Sequence, residues 1–580
     1  MAPVNKTFHG PKLGTAIPDS ISIAEFVLEE GYNRQPYATS RNPLTCGLSD
    51  RSYSVSSMRE RVNLLARALA KELGWHPNED TEFHKVASIY SVNAIDVPIV
   101  AYAVHLLSGL VTPSSAACSE SEVTHQLISS GAKCIFTCAS LLPVALAAAG
   151  NAQIKREHVY LLEIPTSSTS PQQPPSAVQI QTIDDLIREG ATLRAVERLK
   201  WSPGQASRQV AYLCFSSGTS GPPKAVKISH FNVIANVLAI TQHESSFRLP
   251  GQVKTCLGVL PQSHIYGIVL ITHASIFRGD EVVILPRYDF SQMLSAIVKH
   301  QINTLFLVPP IILAFLANEG LVRTHDLRSM NDIVTGAAPL GADVYKRIAG
   351  LFPHASVREG YGLTETATSV ATTKPDDIWL GSVGPLLPTV ECRLLDPEGD
   401  VIQTYGKSGE LWVKSPSVTL GYYNNDRATS ESFKNGWHRT GDEAMFRVAP
   451  SGHEHLFIVD RIKELIKVKG NQVAPAELEA HLLQHPAVAD AAVIPVHDPA
   501  AGEVPKAIVV KAAGNNSGQT DAELAMTLMK HISDHKSKYK WLRGGLEFVP
   551  EIPKSASGKI MRRLLRNKER ERSSVSLPKI

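Results

Sequence analysis

The sequence lacks a strong excess of charge of either sign. Its 58 Lys and Arg residues and 55 Asp and Glu residues give a formal net charge of +3. This balance gives no electrostatic reason to expect nucleic acid or an anionic membrane as a partner. Internal repeats are also lacking, and no stretch reaches the ~18 consecutive apolar residues that span a bilayer. The nearest, 305–317, is interrupted by Pro309 and Pro310. We therefore expect a soluble protein without a membrane span.

Paired cysteines and a secretory leader are lacking as well. The seven cysteines are scattered, odd in number and without a C-x-x-C pair. This usage predicts reduced, intracellular thiols and argues against a zinc site. The N-terminal stretch MAPVNKTFHGPKLG contains no apolar segment of the kind that a signal peptide requires.

What is present predicts a multidomain α/β protein. A chain of 580 residues is too long for one ordinary core. Helical periodicity at 55–73 and 94–107 alternates with strand-like runs at 86–90 and 132–136, which favours an α/β sheet. A charged, alternating segment follows Asp460, and beyond it short strands and helices form an α+β pattern. We predict a large domain over 1–460 and a smaller one over 461–580.

The stretch from Phe215 to Lys224 reads F-S-S-G-T-S-G-P-P-K and combines hydroxyls, glycines and a lysine, a composition suited to phosphate. It is not a Walker loop, because only two residues separate Gly218 from Gly221 and Ala225 follows the lysine. Strand-like runs on both sides predict a strand–loop–strand arrangement, and hence a mobile phosphate cover. A Ser/Gly-rich hairpin turn is the structural alternative.

Four further motifs carry candidate chemistry, although each has an ordinary structural explanation when taken alone. In E-G-Y-G-L-T-E-T (359–366), Tyr361 could stack on a planar base, Thr364 could contact a phosphate oxygen, and Glu365 could bind Mg²⁺. The small residues of G-A-A-P-L-G (336–341) would let a flat ring approach the backbone. The structural alternative for this segment is a Pro/Gly turn. W-H-R-T-G-D (437–442) ends in a carboxylate that could hold ribose hydroxyls. P-K-S-A-S-G-K (553–559) carries a lysine on a Ser/Gly-rich loop, which is otherwise a solvated lysine.

Taken together, in this order and spacing, the motifs resemble those of the adenylate-forming superfamily, and most closely the 4-coumarate–CoA ligase type of acyl-CoA ligase. L-P-Q-S-H-I-Y-G (260–267) and D-R-I-K-E-L-I-K-V-K-G-N-Q-V-A-P (460–475) add to the resemblance, which runs from about residue 52 to 565. It implies a luciferase-like fold, with a large N-terminal α/β domain of mixed sheets and a small mobile α+β C-terminal domain that carries the catalytic lysine. It also implies ATP, Mg²⁺ and coenzyme A as cofactor or co-substrates.

The resemblance implies that a carboxylate attacks the α-phosphate of ATP to give acyl-AMP, and that the thiol of coenzyme A then displaces AMP. Positioning and charge neutralisation suffice for such chemistry. The implied catalytic residues are Lys559, Lys467, Thr364 and His264, and the implied metal ligand is Glu365. The implied ATP and AMP site comprises Ser216, Ser217, Gly218, Thr219, Ser220, Gly221, Lys224, Gly336, Ala337, Ala338, Glu359, Gly360, Tyr361, Gly362, Thr364, Asp442, Arg461 and Lys463.

For the second step, the resemblance implies a swing of the C-terminal domain about Lys463, which withdraws Lys559 and delivers Lys467. Coenzyme A would then contact Arg287, Lys469 and Gly470. The implied acyl pocket comprises His264, Tyr266, Leu270, Ala337, Glu359 and Gly360. Leu270 and Glu359 differ from the residues that hydroxycinnamate ligases often have there, so we expect an apolar acid, fatty or aryl-alkyl.

Three other functions remain open from the sequence. An amino-acid-adenylating module usually presents an aspartate near Ile265, which is apolar here. A luciferase-like oxygenase shares the fold and the first half-reaction, so the sequence separates it poorly. A non-catalytic nucleotide-binding sensor is the third alternative, but this chain keeps every expected ligand position. The tripeptide Pro578-Lys579-Ile580 is a degenerate peroxisomal address, read by an import receptor, or else a basic tail. We expect a peroxisomal protein or, without a working address, a cytosolic one.

Overall fold

The computed structural model describes residues 6–165, 180–216, 223–469, 471–498, 501–512, 519–555 and 558–575. Its strands are β1 (Phe8–His9), β2 (Leu44–Cys46), β3 (Ser52–Tyr53), β4 (Val86–Tyr90), β5 (Leu110–Ser114), β6 (Cys134–Cys138), β7 (Val159–Leu162), β8 (Val210–Ser216), β9 (Lys224–Ser229), β10 (Thr255–Gly258), β11 (Glu281–Ile284), β12 (Thr304–Leu307), β13 (Asp332–Thr335), β14 (Ser356–Leu363), β15 (Thr368–Thr372), β16 (Glu391–Leu395), β17 (Gly409–Lys414), β18 (Phe433–Lys434), β19 (Trp437–Val448), β20 (Glu454–Arg461), β21 (Ile466–Val468), β22 (Asn471–Val473), β23 (Val488–Asp498), β24 (Gly502–Lys511) and β25 (Leu546–Phe548).

The α-helices are α1 (Ile23–Leu28), α2 (Val55–Leu73), α3 (Val97–Leu106), α4 (Glu120–Ser130), α5 (Leu142–Asn151), α6 (Ile183–Gly190), α7 (His230–Ser245), α8 (Ser275–Phe277), α9 (Phe290–Lys299), α10 (Pro309–Ala317), α11 (Glu319–Val322), α12 (Ala342–Leu351), α13 (Asp426–Ser432), α14 (Pro475–Leu482), α15 (Asp521–His535) and α16 (Arg562–Val575). A π-helix, Tyr266–Ala274, precedes α8.

Two large mixed sheets share one hydrophobic core. The eight-stranded sheet has the order β15-β14-β13-β12-β10-β11-β2-β3 and is parallel except at its two edges. The six-stranded sheet has the order β7-β6-β4-β5-β8-β9, with only β9 antiparallel. Apolar residues of both sheets, and of the nearly fully buried helices α3 and α7, belong to the same cluster of packed side chains. This arrangement confirms the predicted α/β class.

Two smaller sheets complete the fold. The first, with the order β1-β16-β17-β19-β18 and β20 beside β19, contains only antiparallel pairs. The second, β22-β21-β24-β23 with β25 beside β24, belongs entirely to residues 466–548 and has its own core with α14 and α15. It is the small α+β unit that the sequence predicted. The position of the boundary, near Asp460, stays a prediction.

Two local predictions, a helix over 55–73 and a strand over 86–90, are confirmed with their bounds. Helix α2 begins after Ser54, whose hydroxyl accepts a hydrogen bond from the Ser57 N–H, and ends at Gly74 in the left-handed conformation (φ 64°). The strand at 86–90 has the predicted bounds. In the described part of the chain, none of the helices combines the length and the apolar character that a bilayer-spanning segment requires.

The strand–loop–strand setting of the Ser/Gly-rich segment is also confirmed. Strands β8 and β9 form an antiparallel ladder that extends to the pair Ser216–Lys224, and helix α7 begins only at His230. Residues 217–222, which include the predicted ligands Ser217, Gly218, Thr219, Ser220 and Gly221, lie outside the described residues.

Candidate active site

A cavity of about 230 Å³ lies at the carboxyl ends of the parallel strands β13 and β14, where open α/β sheets bind ligands. It brings together residues that are far apart in the chain. Those predicted from the sequence that line it are His264, Tyr266, Leu270, Gly336, Ala337, Gly360, Tyr361, Gly362, Thr364, Glu365, Arg461 and Lys559. The other residues predicted for the nucleotide site whose side chains the structure describes, Lys224, Ala338, Glu359, Asp442 and Lys463, do not line this cavity.

Glycines allow two segments of backbone to approach each other closely on one side of the cavity. A Cβ atom at Gly362 would lie 1.6 Å from the carbonyl oxygen of Thr368, and one at Gly336 would lie 3.2 Å from that of Gly360. Ala337 has a φ of 68°, a conformation that costs a non-glycine residue energy. These positions form a thin, side-chain-poor wall that a flat ring could approach.

Tyr361, Asp442 and Arg461 form a connected polar group beside this wall. The Tyr361 hydroxyl donates a 2.6 Å hydrogen bond to Oδ2 of Asp442, and Nε of Arg461 lies 3.4 Å from Oδ1 of the same carboxylate. Asp442 and Arg461 are paired residues of β19 and β20, which fixes their relation. Burial raises the pKa of Asp442, although the Arg461 guanidinium opposes this. The carboxylate is thus positioned with acceptor capacity left for a ligand hydroxyl.

Lys559 enters the cavity from the C-terminal part of the chain. Its N–H donates to the Ser555 hydroxyl (3.2 Å) and its carbonyl accepts from the Ser555 N–H (2.8 Å), so two hydrogen bonds join these residues. Burial, and then the charge of Arg461, lower the pKa of Lys559 to about 8. Burial and the Lys559 charge lower the pKa of His264 to about 4, so the imidazole is neutral at physiological pH. The cationic side chains of Lys559 and Arg461 and the neutral imidazole of His264 thus line the cavity together.

The loop that carries Lys559 is anchored by Arg562. The guanidinium of Arg562 donates to the carboxylates of Glu464 and Glu479, in the latter case at 2.6 and 2.8 Å. All three groups are buried. This arrangement connects the lysine loop to the turn after β20 and to helix α14.

Thr364 and Glu365 lie at the end of β14, next to Lys224. The Tyr422 hydroxyl donates to Oε1 of Glu365 (3.1 Å), and the ammonium group of Lys224 lies 4.9 Å from the centre of the Tyr422 ring. One Glu365 oxygen is thus held by Tyr422 and the other is unengaged by any bond among the described residues. A hard oxygen ligand in this position fits Mg²⁺.

The π-helix and its neighbours form the apolar side of the cavity. Tyr266, the first residue of the π-helix, donates its hydroxyl to the Val334 carbonyl (3.2 Å) and presents its ring to the space together with Leu270. A Cβ atom at Gly267 would lie 2.2 Å from the Pro261 carbonyl oxygen, so the helix packs tightly on the preceding turn. Lining residues that the sequence reasoning missed include Ile240, His243, Glu244, Phe306, Val334 and Arg358.

A buried ionic network supports this end of the cavity. The Arg358 guanidinium donates two 2.7 Å bonds to Asp332, which also lies 3.2 Å from the ammonium group of Lys254. Burial alone would raise the pKa of Glu244, but the guanidinium groups of Arg278 and Arg248 hold it well below its usual value. Each of these charged groups therefore forms an ion pair within the network.

The Glu359 side chain turns away from the cavity, although the sequence placed it in both the ATP site and the acyl pocket. It is buried, and Oε2 accepts a hydrogen bond from the Leu340 N–H at 3.2 Å. Burial raises the pKa of this carboxyl to about 7. The structure thus shows it supporting the turn that carries Gly336 and Ala337.

The predicted coenzyme A residues and the predicted hinge lie apart from the cavity lining. Arg287 is exposed, with Nη2 3.4 Å from the Ser140 hydroxyl. Lys467 is exposed on β21, Lys469 is exposed in the turn after it, and Lys463 lies in the turn between β20 and β21. Gly470 falls outside the described residues, as do Pro578, Lys579 and Ile580.

Comparisons with known proteins agree with this geometry. Residues 33–423 match the family "AMP-binding enzyme", and residues 477–559 match "AMP-binding enzyme C-terminal domain". The chain is 39% identical over 557 residues to the acyl-CoA ligase easD of Emericella nidulans, covering 96% of this chain and 98% of the relative. It is 37% identical over 573 residues to the acyl-CoA ligase AFT1-1 of Alternaria alternata, covering 98% and 97%.

Two solved structures share the fold. The anthranilate CoA ligase AuaEII, in complex with anthranoyl-AMP, superposes with a TM-score of 0.79 at 22% identity, over 95% of this chain and 98% of that one. The amide bond synthetase McbA from Marinactinospora thermotolerans gives a TM-score of 0.76 at 25% identity, over 94% and 99%. The predicted fold, with its large N-terminal and small C-terminal parts, is thereby confirmed.

Proposed function

The chain belongs to the AMP-binding enzyme family and is an AMP-forming acid–thiol ligase, and from this membership we propose how its own residues perform two half-reactions. In the first, a carboxylate oxygen of the acid bonds to the α-phosphorus of ATP while the bond to the bridging oxygen breaks, releasing pyrophosphate. In the second, the sulfur of coenzyme A bonds to the acyl carbon, AMP leaves and the thiol proton is released. The observation that carries this proposal is the half-buried Lys559 ammonium in the same cavity as Thr364, Tyr361 and Arg461.

Adenylation needs positioning and charge neutralisation, and the nucleotide side of the cavity offers both. Tyr361 and the backbone of 336–338 would sandwich adenine. Asp442, supported by Arg461, would accept the ribose hydroxyls, and Thr364 would contact the α-phosphate. Lys559 would bridge the acid and the α-phosphate as negative charge develops there.

Glu365 is the residue of this site that fits Mg²⁺. It is half-buried, one of its oxygens is held by Tyr422, and Lys224 lies beside that tyrosine. The ion would neutralise phosphate charge when bound. Ser216 and Lys224, which pair at the end of the β8–β9 ladder, would cover the β- and γ-phosphates together with residues 217–221.

Thioester formation requires a second arrangement of the small C-terminal part. Lys467, Lys469 and Arg287 lie away from the cavity while Lys559 occupies it. A rotation in the turn that contains Lys463 would withdraw Lys559 and deliver Lys467 and Lys469, with Gly470 leaving room for the thiol arm. His264 would act as the gate between the acid and the thiol.

The acid is proposed to be apolar, fatty or aryl-alkyl, and used in lipid or secondary metabolism. Leu270, Phe306 and Val334 line its end of the cavity. Glu244 and Arg358, which also line the cavity, already form ion pairs, so an uncompensated polar substituent would lose hydration. Ile265 also lines the cavity, at the place where amino-acid-adenylating modules present an aspartate. This argues against an amino acid as substrate.

Separating the two half-reactions tests the assignment of Lys559. Lys559→Ala should lower the rate of pyrophosphate exchange by about 100-fold or more, because one preorganised charge at a transition state is worth that factor. Thioester formation from supplied acyl-AMP should persist. Lys568→Ala, which changes an exposed lysine of α16, is the matched control. Equal loss of both half-reactions in Lys559→Ala would exclude this role, and absence of exchange in the unmodified protein would favour a nucleotide sensor.

We also propose that Pro578-Lys579-Ile580 directs the protein to peroxisomes through the import receptor. The proposal rests on similarity to the Ser-Lys-Leu address. A fluorescent protein fused upstream of the chain should be peroxisomal, and it should become cytosolic when the three residues are deleted. Unchanged location after the deletion would refute the proposal.

A further inference from the structure

The π-helix Tyr266–Ala274 contributes to the walls of two cavities. Tyr266 and Leu270 line the active-site cavity of about 230 Å³. Thr272 and His273 line a separate cavity of about 20 Å³. π-Helices are rare and frequently occur at functional sites. The contacts that hold this helix in place therefore bear on the shape of the active site.

The imidazole of His273 joins the π-helix to two other elements. Its Nδ1 lies 2.7 Å from the Tyr102 hydroxyl oxygen, and its Nε2 lies 2.9 Å from the Tyr212 hydroxyl oxygen. Tyr102 belongs to helix α3 and Tyr212 to strand β8. All three side chains are at most 2% exposed. These three residues are called the Tyr–His–Tyr bridge below.

Both ring nitrogens of His273 are satisfied by the bridge. Burial lowers the pKa of His273 to about 3, so the ring is neutral at physiological pH. A neutral imidazole donates through one nitrogen and accepts through the other. In either tautomer, one tyrosine hydroxyl therefore donates to the ring and the other accepts from it. Removing either hydroxyl would leave a buried ring nitrogen without its hydrogen-bond partner, which is costly.

The two tyrosines anchor the bridge in the interior of the large domain. Tyr212 pairs with Val111 of β5 and with Ile228 of β9, inside the six-stranded sheet. Helix α3, which carries Tyr102, is buried along nearly its whole length. The bridge thus fixes the later part of the π-helix relative to this sheet.

The two ends of the π-helix are held by different contacts. At its start, the Tyr266 hydroxyl donates to the Val334 carbonyl at 3.2 Å. Toward its end, the bridge holds His273, which follows Leu270 by three positions. The apolar side chain of Leu270 can form no hydrogen bond, so its depth in the active-site cavity depends on the backbone position that the bridge sets.

We propose, on the basis of the acid-activating function proposed above, that His273, held by Tyr102 and Tyr212, is a positioning residue that sets which carboxylic acids the active site accepts. His273 is not among the described residues that line the active-site cavity, so it would act through Tyr266 and Leu270. One methylene group in an apolar pocket changes kcat/KM by about 10- to 200-fold, so a small shift of this helix would be measurable.

Hydrogen–deuterium exchange of the full chain tests the hold on the π-helix without any substrate. Tyr102→Phe and Tyr212→Phe each remove one hydroxyl and keep the ring. In both variants the backbone amides of the π-helix should exchange about fivefold faster or more. Unchanged exchange of the π-helix in both variants would overturn the proposal.

Tyr90→Phe is the matched control. Tyr90 is a buried residue of β4 in the same sheet, and its hydroxyl donates to the Cys118 carbonyl at 2.9 Å. It is not among the described residues that line either cavity. This variant loses a comparable hydrogen bond and should have a lower melting temperature, but exchange in the π-helix should stay as in the unmodified protein.

Pyrophosphate exchange with a series of straight-chain and phenyl-substituted alkanoic acids tests the effect on acid selection. In Tyr102→Phe and Tyr212→Phe, KM for the preferred acid should rise about fivefold or more, and the preference for it over its longer homologues should fall by a similar factor. KM for ATP should stay within about twofold of the unmodified value. A purely structural role would lower the melting temperature without changing the preference.

Two outcomes of this assay would contradict the proposal. The first is an equal rise in KM for the acid and for ATP. The second is an acid preference in both bridge variants that matches Tyr90→Phe. Failure of the proposed function would differ, because the unmodified protein would then exchange pyrophosphate with none of the acids. The acid-selecting role would fall with it, whatever the deuterium exchange shows.

Discussion

The lowered pKa of Lys559 predicts an alkaline limit to adenylation. Burial and the charge of Arg461 bring this pKa to about 8, from an ordinary value of 10.5. Only the protonated ammonium can neutralise charge on the α-phosphate. The protonated fraction falls from about nine-tenths at pH 7 to about one-tenth at pH 9, and by a further factor of ten for each pH unit beyond.

The corresponding assay is pyrophosphate exchange at ATP concentrations well below KM, because kcat/KM reports the pKa of the free enzyme. We expect kcat/KM to fall about fivefold between pH 8 and 9 and about tenfold between pH 9 and 10. The series should begin at pH 7.5, since the buried Glu359 carboxyl has a pKa of about 7. His264, with a pKa of about 4, does not titrate in this range.

Lys559→Arg supplies the discriminating comparison. Arginine keeps its charge across the whole pH range. The variant should therefore have a lower kcat/KM but should lose the alkaline limb, which is the fall in kcat/KM above pH 8. Thioester formation from acyl-AMP should lack this limb in both proteins. A flat wild-type profile up to pH 9.5, or an unchanged limb in Lys559→Arg, would refute the reasoning.

Two further predictions concern stability. Burial lowers the pKa of His105 to about 3, so its imidazole is neutral in the folded protein. As the pH falls below 6.5, the unfolded chain takes up a proton at this residue and the folded chain does not. Lowering the pH from 8 to 5 should therefore reduce the free energy of unfolding by about 2 kcal/mol through this residue. Urea unfolding should show a shallower pH dependence in His105→Leu, and an equal dependence would contradict the assignment. Gly362→Ala places a Cβ 1.6 Å from the Thr368 carbonyl oxygen. This variant should lower the free energy of unfolding by about 1–3 kcal/mol or more and raise KM for ATP. Gly320→Ala, whose Cβ meets nothing within 4 Å, should change neither quantity. Equal melting temperatures for these two variants would refute the packing argument.

Local physical chemistry made part of the fold predictable from the sequence. Helix α2 and strand β4 were predicted with their observed bounds, because regular apolar spacing and a terminal glycine are local signals. The strand–loop–strand setting around Ser216 was predicted for the same reason. Much of the cavity lining was implied by the resemblance to the adenylate-forming superfamily.

The remainder depends on contacts between distant residues. The bond from Tyr361 to Asp442 joins residues 81 positions apart, and the network of Glu244, Asp332 and Arg358 joins three separate elements. Phe306 reaches the cavity because β12 lies beside β13, which sheet order alone decides. The π-helix was not predicted either, since its i→i+5 bonding leaves no distinct apolar period.

The anchoring of Arg562 has a consequence for protein engineering. A chimera that exchanges the small C-terminal part must take Glu464 and Arg562 from the same parent. If the buried Arg562 guanidinium lost its carboxylate partner, the free energy of unfolding would fall by about 3–5 kcal/mol. A crossover placed after residue 470 breaks this pair. A crossover between Arg461, where β20 ends, and Glu464 preserves it and transfers the lysine loop, its anchor and helix α14 together. Exchanges made there should therefore yield folded hybrids.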